Sequence, residues 1–217
     1  MSEFIIHTVP GSPFARAVLM ALEEKGAPYR VSAVMPGTLQ APEHLKRHPF
    51  GRIPVLEHGD FSLYETQAIL RYIDRVVTPG SLTPPDPKAA GRMDQIMNVN
   101  DWYLFQGVAN IIAFQRVVGP RLMGLEPDLK AIETAMPRAK AVFTELARLL
   151  GTQTFFAGEA VSLADLLLFP QLDFMREAPE WATLAGPYPT LEAWMDRMAA
   201  RPSAAATTWE KVAAMAR

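Results

Sequence analysis

The sequence predicts a two-part chain: an α/β N-terminal domain of order βαβ-α-ββα, followed by an all-α C-terminal domain. Three observations carry that expectation. They are a strand-helix-strand opening, a short hairpin around Gly59, and the loss of strand-like alternation beyond Pro84-Pro85-Asp86-Pro87. The implied boundaries are 1–80 for the first domain, 81–87 for a proline-rich linker and 88–217 for the helical domain.

Residues Phe4 to Val9 are rich in β-favouring types and end at Pro10-Gly11, which reads as a buried strand and a turn. Ala15, Val18, Leu19 and Leu22 then recur at the spacing of one helix face, closing at Gly26. Tyr29 to Val34 alternates as a second strand, so the first two strands should be parallel and joined by a right-handed crossover. From Pro36 to Pro49 the pattern breaks into loop, with a short helix around Glu43 to Arg47. Ile53 to Leu56 and Phe61 to Tyr64 form the hairpin, turning through Glu57-His58-Gly59-Asp60. Ile69, Tyr72, Ile73 and Val76 then mark one face of an amphipathic helix.

Pro79-Gly80 and the prolines after it mark the boundary. Helices are expected over Lys88 to Val118, Leu129 to Leu150, Leu163 to Glu177, Leu191 to Ala200 and Ala204 to Ala216. Pro137 should kink or interrupt its helix, because it lacks an amide hydrogen and crowds the preceding turn.

A formal net charge of -2, with no run of like charges, argues against a nucleic-acid groove or an anionic membrane surface. There is no cysteine, which removes thiolate metal sites and any mechanism in which the protein's own thiol attacks. The opening MSEFIIHTV has no basic flank or small-residue cleavage site, and no apolar run approaches a membrane span. A cytoplasmic protein is expected.

Three constellations bear on chemistry, each with a structural reading beside the functional one. Ile53-Pro54 precedes a short strand. A cis bond there would turn the Ile53 amide and carbonyl outward for a ligand backbone, whereas a trans proline would simply start the strand. Glu65 and Thr66 stand at a helix start, where amides can hold a carboxylate and the Glu65 side chain an ammonium group. They can equally cap the helix. Ser12-Pro13 has the form of an N-cap and first helical residue, yet the same hydroxyl could stabilise a thiolate placed at that helix start.

Elsewhere structure suffices. Ser162 and Asp165 match a capping box ahead of the apolar run Leu166 to Phe169. His44 and His48 are four residues apart and read as a solvated helix face; no metal site is expected.

In order along the chain, SPFARAVLMALEEKG, HPFGRIPVLEHGDFSLYETQAILRYI, SLADLLLFP and YPTLEAWMDRMAARPS resemble successive signatures of the cytosolic glutathione transferases. The likeness spans the whole chain and is closest to bacterial, serine-type, phi/theta-like members. It implies a thioredoxin-like first domain and conjugation of the glutathione thiolate to small apolar electrophiles. Ser12 would be catalytic. Ile53 and the cis Pro54 would pair with the cysteinyl part of glutathione, and Glu65 and Thr66 would hold its γ-glutamyl end. The lysine or histidine pair that phi-like members place ahead of the PFG segment is missing or shifted, which leaves Gln40 near the glycyl carboxylate.

No tyrosine stands in the first strand or the turn after it, and no cysteine follows Gly11, so the tyrosine, omega and beta types do not fit. The SSC motif of the zeta type is absent too. For the electrophile, an inter-domain pocket with Phe14, Trp102, Phe105 and Ile112 is expected. The resemblance further implies glutathione as co-substrate without a cofactor, and a homodimer. Other readings stay open: a non-catalytic binding or regulatory protein on this fold, or a glutathione-dependent dehalogenase or peroxidase.

Overall fold

The computed structural model describes residues 3–35, 37–78 and 80–216; Pro36 and Pro79, assigned above to loop and boundary, lie outside them. The chain forms two compact units, Met1–Leu82 with Ala200–Arg217, and Thr83–Ala199.

The first unit is built on a four-stranded sheet of β1 (Phe4–Thr8), β2 (Tyr29–Ala33), β3 (Val55–His58) and β4 (Phe61–Tyr64), in the order β2-β1-β3-β4. β1 and β2 are parallel, while β3 runs antiparallel to both β1 and β4. Its helices are α1 (Pro13–Glu24), α2 (Pro42–Leu45) and α3 (Thr66–Val76). Ile6 aligns with Val31 on one side and Leu56 on the other, so these three apolar residues share a sheet face. With Val18, Leu19, Leu22, Ile69 and Ile73 they form the buried core. The thioredoxin-like arrangement expected from the sequence is therefore present.

The second unit is helical. It comprises α4 (Pro87–Val99), π-helical turns at Asn100–Ala109, α5 (Asn110–Ala113), further π-helical turns at Phe114–Val118, and α6 (Gly119–Met123). Then come α7 (Leu129–Leu150), α8 (Leu163–Arg176), α9 (Trp181–Leu184) and α10 (Pro189–Ala199). The single helix expected over 88–118 is broken. Gln106 is extended (φ -74, ψ 113) and Gly107 left-handed (φ 84, ψ 4), and the Gly107 amide donates to Asn110 Oδ1 at 2.7 Å. Pro137, by contrast, does not interrupt α7.

The core of this unit surrounds Asp165, which is wholly buried. It accepts from the Phe156 amide (2.9 Å), the Ser162 amide (2.9 Å) and hydroxyl (2.7 Å), and Trp194 Nε1 (2.9 Å). Burial pushes its pKa up while these donors oppose the rise. The expected capping box is thus the polar centre of the unit. Among the described residues no helix is long and apolar enough to cross a membrane.

The helix expected over 204–216 is two, α11 (Pro202–Ala206) and α12 (Trp209–Met215). Between them the Thr207 hydroxyl donates to Ser203 O (2.7 Å), and Thr208 caps α12 by accepting the Lys211 amide (3.5 Å). The sequence reading grouped these residues with the helical domain, but they pack with the first unit. As a result α1 is buried on more than the one face its periodicity showed: Ala17, Met20 and Ala21 are also fully buried.

Candidate functional site

The sheet register collects the three constellations. His7 pairs with Val55, and Val55 with Tyr64, so the end of β1, the start of β3 and the end of β4 lie side by side. The turn to Ser12 leaves from that end of β1, Pro54 immediately precedes β3, and Glu65 immediately follows β4. The segments that carry Ser12, Pro54 and Glu65 thus leave from the same end of the sheet.

Ser12 sits at the close of a β-turn in which its amide donates to Val9 O at 3.2 Å. Pro10 and Gly11, with Gly11 at φ +90, suit the central positions of a type II turn. Ser12 then caps α1 (φ -71, ψ 118), with Pro13 in the first turn. Its Oγ accepts the Ala15 amide at 3.3 Å. Capping uses an acceptor lone pair and leaves the hydroxyl hydrogen to be donated elsewhere. The cap at Ser12 is therefore compatible with a second use of its hydroxyl.

The Ile53-Pro54 bond is cis. The strand ladder begins only at Val55, so the Ile53 amide and carbonyl take no part in it. The approach to this bond is tightly built. Gly51 is buried at φ +61, and a Cβ there would collide with Gln40 Nε2 and lie 2.8 Å from Leu39 O. Gln40 thereby rests on the segment leading to Ile53.

Two residues that sequence reasoning placed on a solvated helix face support that segment instead. His44 and His48 are 4% and 2% exposed. His44 Nε2 donates to Arg52 O at 2.8 Å, and the Phe50 amide donates to His48 Nδ1 at 3.4 Å. The His48 ring also packs on Tyr64, with ring centroids 4.7 Å apart. Burial lowers its pKa, against the pull of the nearby Glu65 charge and with help from His44 and Arg52. Their i, i+4 spacing made them neighbours. Nothing in it showed that the chain after them folds back over their rings.

Glu65 is the single non-glycine residue with positive φ among those described (φ 71, ψ 113). Its side chain is exposed and makes no cap bond. Such a backbone costs of order 1–3 kcal/mol and persists where the surroundings over-determine it. Thr66, the next residue, is buried and opens α3. No acidic side chain occupies that first turn, whose amides lack helical partners as at any helix start. The residues offer an ammonium-binding carboxylate beside a carboxylate-binding helix end.

The residues suggested for an apolar ligand are scattered in exposure. Phe14 and Phe105 are half-buried, Trp102 is 60% exposed, and Ile112 is fully buried. No group of metal-binding side chains occurs among the described residues.

Residues 6–78 match the family described as glutathione S-transferase, N-terminal domain, and residues 107–202 match glutathione S-transferase, C-terminal domain. The chain is 33% identical over 193 residues, 86% of each chain, to a probable glutathione S-transferase GSTF1 of Oryza sativa subsp. japonica. It is 34% identical over 200 residues to glutathione S-transferase 4 of Zea mays, covering 89% of this chain and 86% of that one. Among solved structures, a glutathione S-transferase I bound with lactoylglutathione superposes with TM-score 0.83 at 29% identity, covering 99% of this chain and 100% of that chain. Glutathione S-transferase I from maize in complex with an atrazine glutathione conjugate gives 0.82 at 28%, with 99% and 98% covered.

Proposed function

The chain belongs to the glutathione S-transferase family, and we propose that it joins glutathione, through its thiolate, to small apolar electrophiles. The observation that carries this reading is the register by which the segments bearing Ser12, Ile53-Pro54 and Glu65-Thr66 leave from one end of the sheet. A tripeptide with an α-amino acid at one end and a central thiol needs those three functions together. Glu65 and the start of α3 take the γ-glutamyl ammonium and carboxylate. The Ile53 backbone pairs with the cysteinyl residue, and Gln40, lying on Gly51, serves the glycyl end. Ser12 donates its hydroxyl hydrogen to the sulfur. Serine-type, phi/theta-like chemistry is the finer assignment, supported by Ser12 and by a chain without cysteine.

Magnitudes decide how the site accelerates the reaction. Lowering a thiol pKa by about two units from roughly 8.5 raises the thiolate share at pH 7 about twenty-five-fold. A less basic thiolate attacks more slowly, and a slope of about 0.4–0.5 returns roughly six- to tenfold of that gain. Holding the electrophile beside the sulfur must therefore supply most of the acceleration. Ile112 is fully buried and has no surface to offer an electrophile; in the first unit Phe14, at the start of α1 beside Ser12, is the apolar candidate.

A second copy of the chain is the proposed protein partner, in the cytoplasm. Exposed Phe50, and a groove of about 360 Å³ in the second unit lined by Val99, Tyr103, Ala141 and Val142 with Arg138 and Glu145, support self-association. The enzymatic reading is tested by calorimetry with glutathione and by conjugation of a chloronitroarene. Saturable binding with turnover is expected. Failure to bind glutathione would contradict it and favour a binding protein on the same fold.

A further inference from the structure

The segment from Ala200 onward groups with the first unit and is tied to α1 by side-chain hydrogen bonds. The Glu24 carboxylate, on the last turn of α1, receives Arg201 Nε at 2.7 Å, Arg201 Nη2 at 2.6 Å and the Ser203 hydroxyl at 2.5 Å. Arg16, one turn beyond Ser12, donates Nη2 to Ala204 O at 3.4 Å. The break at Thr207-Thr208 then redirects the chain, and α12 starts at Trp209.

The Trp209 indole comes to rest on the turn before Ser12. A Cβ built on Gly11 would stand 2.7 Å from three atoms of its six-membered ring. Gly11 is thus required twice, by its φ of +90 and by the ring lying where a side chain would begin. The Ser12 hydroxyl, by contrast, is loosely tied: its bond from the Ala15 amide, at 3.3 Å, exceeds the usual ~2.9–3.0 Å. A glycine turn and a long cap bond leave the hydroxyl's direction in need of outside support.

We propose that Trp209 is a positioning residue for the reaction: its indole, anchored through Glu24, Arg201 and Ser203, pins the Gly11 turn so that the Ser12 hydroxyl points at the glutathione sulfur. This rests on the role of Ser12 proposed above. The indole also covers one side of the turn, and a hydrogen bond to a charged sulfur strengthens as water is excluded. Trp209 touches neither glutathione nor electrophile in this account. Its effect passes through Ser12 alone.

The test compares wild type, Trp209→Leu, Trp209→Phe, Ser12→Ala and the Trp209→Leu/Ser12→Ala double variant. Read out are the ultraviolet absorbance of the bound thiolate against pH, the glutathione Kd, and kcat/KM. Trp209→Leu should move the thiolate titration to higher pH and lower kcat/KM about two- to fourfold, no more than Ser12→Ala does. Glutathione Kd should stay within about twofold, and Trp209→Phe should restore most of the loss. On the Ser12→Ala background, Trp209→Leu should add little.

A Trp209→Leu protein with the wild-type thiolate titration, or losses that multiply in the double variant, would overturn the inference. If Ser12→Ala shifts the titration and Trp209→Leu does not, only the Trp209 assignment falls. If Ser12→Ala itself leaves the titration unmoved, the Ser12 reading falls and takes this inference with it. Should Trp209→Leu fail to fold, Arg201→Lys, which breaks the paired contact to Glu24, carries the same two outcomes.

Discussion

The helices α1 and α3 begin at the same end of the sheet and begin differently. At Ser12 the backbone is relaxed, proline occupies the first turn and the side chain caps an amide. At Glu65 the backbone is left-handed and the side chain caps nothing. A sound structural role therefore stands in front of the proposed chemistry at Ser12. At Glu65 a backbone cost stands without any structural return that the fold displays. A residue that satisfies its own helix shows its second task only when removed, whereas one that strains the chain points to its task directly.

The largest expected effect follows from breaking the first helix start. Ser12→Ala should raise the bound-thiol pKa by about one to two units by losing a hydrogen bond to a charged sulfur, while conjugation at pH 7 falls only about a few-fold because the more basic thiolate attacks faster. Thermal unfolding should show only about 1 kcal/mol lost with the cap. An unchanged rate with lost stability would leave Ser12 a cap and nothing more.

The second start should respond in the opposite sense. Glu65→Gly relieves the left-handed backbone and should raise stability by about 1 kcal/mol, less the entropy glycine adds to the unfolded chain. It should also weaken glutathione binding roughly ten- to a hundredfold by removing a charged partner of the ammonium group. Glu65→Gln should lose the affinity without the stabilisation. Calorimetry and unfolding curves on both variants separate strain from binding, and equal affinity in all three proteins would remove Glu65 from the site.

Much of the fold was legible because its patterns are local. The β-favouring run of β1, the alternation in β2, the Gly59 hairpin and the periodicity of α1 and α3 each lie within a dozen residues. The helix breaks were less so, though Gly107 inside the expected helix was an available signal for the first. Other features depend on what packs where. Ala204 to Ala216 reads as helical, but periodicity does not say which unit receives it. The burial of His44 and His48 depends on a loop closing over them. The φ of Glu65 carries no glycine or asparagine to announce it. Three site positions were visible as types, and the family resemblance joined them on one ligand; the register of β1, β3 and β4 adds that the segments carrying them leave from one end of the sheet.

Smaller effects sharpen the comparison through pH. Burial raises the Glu24 pKa, but hydrogen bonds from Arg201 and Ser203 and the Arg201 charge outweigh it, so the pKa is lowered overall. A carboxylate depressed on folding contributes stability present above its unfolded value of about 4.3 and lost as pH falls through its folded value. The anchor that holds Trp209 near Ser12 should therefore weaken only in acid, and Glu24→Gln should flatten that part of the stability profile.

His48 works on the Glu65 side and at milder pH. Burial lowers its pKa from about 6.5. The unfolded chain binds its proton first, so stability should decline as pH falls from that value toward the folded one. His48→Gln should abolish this shallow slope, and a slope that persists would assign it to another group.

The most direct test measures glutathione Kd and bound-thiol ionisation on Ser12→Ala and Glu65→Gln side by side. The account expects Ser12→Ala to shift ionisation to higher pH with Kd nearly unchanged, and Glu65→Gln to weaken binding with ionisation nearly unchanged. The reverse assignment, or both variants moving both quantities equally, would contradict the division of binding and chemistry between the two helix starts.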